Sequence, residues 1–101
     1  MQFSHETKDG VTSITIAGEF DSLTAPEVRA TFEEIAEKKP TKVVLDLMNL
    51  RLIDSSGVGA IVSLFKRVRA AGGKFEVANL HGQPRSIFKV LRLDKVFNID
   101  T

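Results

Sequence analysis

Lys42-Val43-Val44-Leu45-Asp46-Leu47 decides the fold. The apolar run is short, β-branched and preceded by Pro40, so it reads as a buried strand rather than a piece of helix. Segments of helical period lie on both sides of it. On the N-terminal side, residues 24–37 read as a helix. Thr24 and Glu27 have the spacing of a capping box, and Leu23 and Val28 occupy the positions of a hydrophobic staple. Pro26 falls in the first turn, where its missing N–H costs little. Val28, Phe32 and Ile35 supply the apolar stripe, and Lys38-Lys39-Pro40 ends the segment. On the C-terminal side, a second helix is expected from near Ser56 to about Ala71. Val58, Ile61, Val62, Phe65 and Val68 fall on its inner face, and Lys66, Arg67 and Arg69 on its outer face. A buried strand between two helices implies parallel neighbours joined by right-handed crossovers.

Further out, residues 2–7 and 11–17 read as strands, with Asp9-Gly10 between them as a hairpin turn. Gly18 is read as the end of the second strand. Met48 to Ile53 reads as a connection anchored by Leu50, Leu52 and Ile53. Gly72-Gly73 stops the second helix, and Phe75-Glu76-Val77-Ala78 follows as a strand. Pro84 to about Arg92 forms a third helix with Ile87, Val90 and Leu91 inward. Val96-Phe97-Asn98-Ile99 is a possible last strand. The order ββαβαβα predicts one α/β domain over residues 1–101. It should have a mixed β-sheet of four to five strands, with helices mainly on one face.

Composition narrows the function classes. The chain has 101 residues, 43% of them hydrophobic and 27% charged, which is ordinary for one globular core. With no cysteine, a disulfide, a thiolate metal site and a cysteine nucleophile are excluded. Met1-Gln2-Phe3-Ser4-His5-Glu6 does not resemble a signal peptide. No apolar run approaches the roughly 18 residues that span a bilayer. A cytoplasmic protein without membrane insertion is therefore expected. The 14 basic and 13 acidic residues are spread along the chain, and Trp and Tyr are absent, so direct nucleic-acid binding has no support.

The most informative segment is Asp54-Ser55-Ser56-Gly57-Val58-Gly59, where a connection becomes a helix. An Asp or Ser there serves as an N-cap. Capping explains one polar residue but not two serines, an aspartate and two glycines together. Gly57 and Gly59 each cost a helix up to about 1 kcal/mol relative to Ala. Close approach by another backbone or by a ligand is the usual compensation. A phosphoserine carries about −1.5 to −2 charge. At a helix start that charge is expected to meet exposed N–H donors and the positive end of the dipole, while Asp54 repels it. Local physics leaves capping and switching both open, and does not choose between Ser55 and Ser56.

The same segment resembles the D-S-[ST]-G-[LIV]-G signature of the STAS-domain anti-sigma factor antagonists. Gly18-Glu19-Phe20-Asp21 is similar to that family's G-E-[LF]-D, and Val43-Val44-Leu45-Asp46-Leu47 to its central strand. Gly72-Gly73 before a strand matches its later spacing. The resemblance covers about residues 2–99. It implies a partner-switching regulator of transcription or a related output. The unmodified domain would bind an anti-sigma factor that is also a serine kinase of the GHKL type. Phosphorylation at Ser55 would end the complex, and a PP2C-type phosphatase would reset it. ATP and Mg²⁺ would belong to the kinase, leaving this chain with no cofactor and no catalytic residue. The resemblance places Asp21, Asp54, Ser55, Ser56, Gly57 and Val58 in the partner-binding surface. Many relatives continue past the last strand with another amphipathic helix, which this sequence lacks.

Other readings are weaker. Asp46 ends a strand like a receiver-domain phosphoacceptor, but the chain opens with a hairpin and lacks paired acids. Ser63-Leu64-Phe65-Lys66 matches S-x-x-K without its companion motifs. Gly57-Val58-Gly59 lacks the third glycine of a dinucleotide fingerprint. A serine hydrolase needs a base, and His5 and His81 are the only histidines. They are also too few and too far apart in sequence to argue a metal site. Lys66, Arg67 and Arg69 are a solvated face or a contact for an acidic partner. A non-switching accessory subunit of a membrane transporter complex is the alternative function.

Overall fold

The computed structural model describes residues 1–97. β1 (Gln2–Lys8) and β2 (Val11–Phe20) form the expected antiparallel hairpin. Asp9 and Gly10 take φ of 54° and 82°, the left-handed conformations that a two-residue hairpin turn requires. α1 (Ala25–Glu37) crosses back to β3 (Lys42–Asp46), which pairs parallel with β2. β5 (Lys74–Ala78) pairs parallel with β3 on its other side. The sheet is therefore mixed, in the order β1-β2-β3-β5.

A fifth strand was not legible in the sequence. Leu50–Ile53, expected as a connection, is β4, and it pairs parallel with the end of β2. Gly18 does not end β2 but bulges it at φ 94°, after which Glu19 and Phe20 pair with Leu52 and Ile53. β3 thus serves the first half of β2, and β4 serves its last residues. Four residues are too few to show a period, and the outer edge of β4 is completed by a side chain instead of a strand. The Gln83 amide accepts from the Ile53 N–H at 2.9 Å and donates to the Ile53 carbonyl at 3.0 Å. That pair of bonds docks α3 (Gly82–Val90) on β4.

The helices mainly cover the face bearing Ile14, Ile16, Val43 and Leu45. α1 contributes Val28, Phe32 and Ile35 to the core, and α2 (Ser55–Ala70) contributes Val58, Ile61, Leu64 and Val68. The stripe on α2 is wider than expected. Leu64 joins it, and Val62 and Phe65 are half-buried at its border. Phe65 meets Phe75 and Phe97 edge-on, with ring centroids 5.6 Å and 4.9 Å away.

Several expectations for the ends of helices are corrected. The Thr24 side chain makes no capping bond to α1; it accepts from the Asp21 N–H at 3.0 Å and shapes the preceding turn. Leu23 is 89% exposed, so no hydrophobic staple forms with Val28. α3 turns Pro84 and Phe88 inward. Ile87 is half-buried, while Val90 and Leu91, expected inside, are 78% and 52% exposed. The helix begins two residues earlier than expected, at Gly82, and the buried Phe88 ring lies 5.7 Å from that of Phe97. Leu93–Val96 is a short helix, α4, with Phe97 buried just after it. Val96 and Phe97 are therefore not strand, and the remainder of that expected strand, Asn98 and Ile99, lies outside the described residues.

Replacing Gln83 by Ala leaves the Ile53 N–H and carbonyl without protein partners. An unpaired buried polar group costs about 1–3 kcal/mol. Thermal unfolding of Gln83→Ala should show a loss in that range, and Gln83→Glu, which keeps the acceptor but loses the donor, should fall between it and the wild type.

Candidate functional site

The site forms where the ends of β2 and β4 meet the start of α2. Asp54 leaves β4 extended, at φ −114° and ψ −173°, and is the N-cap of α2. Its Oδ1 accepts from the Ser56 N–H at 2.9 Å and from the Gly57 N–H at 3.3 Å. Its Oδ2 accepts from the Ser22 N–H at 3.2 Å. One carboxylate therefore ties the β2–α1 turn to the first turn of α2. The backbone adds two bonds, from the Asp54 N–H to the Phe20 carbonyl at 3.2 Å and from the Val58 N–H to the Asp54 carbonyl at 3.0 Å.

Asp21 does similar work within its own turn. Its Oδ1 accepts from the Leu23 and Thr24 N–H groups at 3.0 Å and 3.2 Å. Both acids are thus committed to shaping loops. The cap is Asp54, which removes the sequence's ambiguity over a capping serine. Ser55 is the first residue of α2 and is exposed, while Ser56 is half-buried. Among the described residues neither hydroxyl makes a hydrogen bond.

One expectation about charge is corrected. The N–H groups of Ser56 and Gly57 are already taken by Asp54, so a phosphoryl group on Ser55 would not find them open. It would stand outward, beside a carboxylate.

The glycines separate into two cases. A Cβ on Gly57 would lie 2.7 Å from the Phe20 carbonyl oxygen and 2.8 Å from Ile53 Cγ1. Gly57 is therefore required because α2 rests directly on the end of β2. A Cβ on Gly59 would meet only the Arg29 Nη2 at 2.9 Å, the movable end of a long side chain. Gly57 and Val58 are buried, so they hold the helix in place from beneath the surface that Ser55 presents.

Around Ser55 the surface is partly apolar. Leu23 is 89% exposed and Leu52 is 47% exposed, on the two segments that flank the helix start. Leu52, Glu19, Phe20, Asp21, Ile53, Asp54 and Gln83 line a cleft of about 240 Å³ there. Ser22 and Gln83 were not singled out from sequence, and Leu23 and Leu52 were expected only as packing residues. Leu23 and Leu52 looked like interior anchors, and only the fold shows them outside. No histidine bonds to Ser55 or Ser56, and the His81 Nε2 donates to the Met48 carbonyl at 2.6 Å instead. Among the described residues no group of three or more His, Asp or Glu side chains is arranged to hold a metal ion. Asp46, the receiver-like aspartate, accepts from the Met48 N–H and the Asn79 amide, each at 3.0 Å, and closes a strand end. Among the described residues no helix is long and apolar enough to cross a membrane. The helix start therefore presents an exposed hydroxyl at Ser55, with exposed leucines at Leu23 and Leu52 on the segments beside it.

The STAS domain matches residues 2–101. The chain belongs to the STAS-domain family. It is 29% identical over 100 residues to the anti-sigma F factor antagonist of Paenibacillus polymyxa, covering 98% of this chain and 86% of that protein. Among solved structures it is similar to an anti-sigma factor antagonist from Mycobacterium paratuberculosis. The TM-score is 0.85 and the identity 25%, over 95% of this chain and 81% of that one. The Bacillus cell fate determinant SpoIIAA, solved in a phosphorylated form, shares the fold at TM-score 0.78 and 23% identity, over 93% and 86% of the two chains. In this STAS domain the segment Asp54–Gly59 thus forms the cap and first turn of α2, and the segment Gly18–Asp21 is the strand end on which that turn rests.

The two glycines predict opposite outcomes. Gly57→Ala forces α2 off the end of β2 and should cost about 1–3 kcal/mol, as overpacking does. Gly59→Ala needs only a shift of Arg29, and should raise stability by up to about 1 kcal/mol through helix propensity. Denaturant unfolding of the two variants against wild type checks both signs.

Proposed function

We propose that this STAS domain is an anti-sigma factor antagonist whose binding is switched by phosphorylation at Ser55. The unmodified domain binds and sequesters an anti-sigma factor that is also a serine kinase of the GHKL type. The kinase transfers the γ-phosphoryl of ATP to the Ser55 hydroxyl with Mg²⁺ held on its own chain, and a PP2C-type phosphatase removes it. In this reading the chain is a substrate and a ligand, acting in the cytoplasm on transcription or a related output.

The observation that carries the reading is the Ser55 hydroxyl. It is exposed, makes no hydrogen bond among the described residues, and projects from a helix start that Asp54 has already capped. Modification there disturbs no internal bond. It adds a dianion beside Asp54, with two helix N–H groups already engaged. A partner seated over Leu23, Leu52 and Ser55 would have to desolvate that charge without a paired cation, which is strongly unfavourable. Loss of binding with the fold intact follows. The names of the relatives support the partner class, and SpoIIAA, a neighbour of the same fold solved in a phosphorylated form, supports a phosphorylation switch. Asp21, Asp54, Ser56, Gly57 and Val58 belong to the same surface. The acids fix its loops and the buried pair fixes the helix.

Affinity capture with wild type, Ser55→Ala and Ser55→Asp tests this. Ser55→Ala should retain an ATPase of the expected type and Ser55→Asp should lose it. The captured protein, given ATP and Mg²⁺, should add one phosphate to wild type and none to Ser55→Ala. Identical partners for all three, or phosphate on another residue, would sink the reading. With the captured kinase, Leu23→Ala and Leu52→Ala should each weaken binding by roughly tenfold, the effect of losing about 1.4 kcal/mol, without lowering the melting temperature.

A further inference from the structure

The helix that carries Ser55 has an unbalanced charge. α2 has 16 residues and includes Lys66, Arg67 and Arg69 but no acid, although the chain as a whole is nearly neutral at +1. Ser55, Gly59, Ser63, Lys66 and Ala70 follow one another on its outward side at helical spacing. Small residues therefore leave a low track from the serine to Lys66. Arg29 reaches across from α1, its guanidinium within 2.9 Å of where a Cβ on Gly59 would be. Arg67 borders the groove between the two helices, with Phe32, Ala60 and Leu64 in its floor. Arg69 lies to the other side, 5.6 Å over the Phe65 ring.

Among the described residues nothing neutralises Arg29, Lys66 or Arg67 at close range. Among the described residues Arg29, Lys66 and Arg67 make no hydrogen bond and no ion pair. Glu33 lines the same groove as Arg29 and Arg67, and Glu37 and Lys39 lie at its far end. Along the groove Arg29, Lys39 and Arg67 therefore outnumber Glu33 and Glu37 by three to two, and the exposed Lys66 adds a further cation on α2. Exposed, unpaired guanidinium and ammonium groups along a flat track are what an acidic protein surface matches, and such complementarity sets on-rate and orientation.

We propose that Arg29, Lys66 and Arg67, along the outer side of α2, form a docking strip for an acidic segment of the partner protein bound at Ser55. Naming that partner rests on the function proposed above; the chemistry of the strip does not. The two sites fit one footprint. Ser55 and Lys66 are eleven residues apart, about 16 Å along a helix. A standard interface buries about 800 Å² per partner, a patch about 32 Å across. At physiological salt Lys66 and Arg67 are largely screened from Ser55, since about 16 Å is twice the Debye length of about 8 Å, whereas Arg29, beside Gly59, lies one turn from the serine. The strip would then recruit and align the partner in both states of the serine, leaving Ser55 to decide whether the complex closes.

Poly-L-glutamate serves as the probe, titrated into the isotope-labelled full chain and followed by amide chemical shifts at low salt. Saturable shifts are expected at Gly59, Ser63, Lys66 and Arg67. Lys66→Glu/Arg67→Glu, with folding confirmed from its dispersed spectrum, should weaken binding by at least roughly tenfold, because like charges then face each other. Arg29→Glu should weaken it in the same direction. Repeated at physiological salt, where screening over about 8 Å separates Ser55 from Lys66, Ser55→Asp should weaken polyglutamate binding far less than Lys66→Glu/Arg67→Glu does, and an equal loss in the two variants would overturn the proposal. A short DNA duplex is titrated in parallel. Shifts spread over all lysines and arginines, no saturation, an unchanged charge-reversal variant, or tighter binding to the duplex than to polyglutamate would each overturn the proposal.

Discussion

The first turn of α2 lies directly on the end of β2, and the functional surface depends on that contact. Phe20 is central to it. Its carbonyl accepts the Asp54 N–H, and the same oxygen stands where a side chain on Gly57 would need to be. Its ring is fully buried and meets Phe32 of α1 edge-on at 6.4 Å. One residue thus sets the height of α2 above the sheet and joins both helices to the strand. A glycine at the first turn costs helix propensity, and the close approach that it permits supplies the compensating packing.

The aspartates near the serine act through geometry. Asp54 engages three N–H groups, two in its helix and one in the opposite turn. Asp21 engages two in its own turn. Charge that looked available for a partner is spent on keeping two loops side by side. What the loops then present is a hydroxyl and two leucines, with the electrostatic character of the face supplied from further along the same helix. The switch proposed at Ser55 would need no rearrangement of the domain, because its hydroxyl is not part of the bonding that holds the fold among the described residues.

The parts of the fold that were legible were those written in local pattern. The Asp9-Gly10 turn, the apolar run of β3 and the helical period of α2 each follow from residues adjacent in sequence. β4 was not legible, because four residues give no period and its pairing depends on a bulge at Gly18 and an amide from Gln83. The capping box at Thr24 matched in spacing yet did not form, since Asp21 and the end of β2 claimed the same side chains and N–H groups. The inward face of α3 was misjudged because Pro84 and Phe88, four residues apart on one side, turn inward while Val90 and Leu91 stay exposed, a choice of face set by the elements the helix packs against.

For the site, the sequence by itself determined that a serine pair stands at a helix start beside an aspartate and two glycines. Motif order and residue type carry that much, and with it the family. Only the tertiary structure decided which residue caps the helix, which serine is open, why Gly57 and not Gly59 is required, and that Leu23 and Leu52 face outward. The reason is physical. The Asp54 cap is local, but a close approach and an exposed surface are each defined by segments 30 or more residues apart, such as Ser22 with Asp54 and Ile53 with Gln83, and no local pattern encodes which distant backbone arrives to meet a side chain.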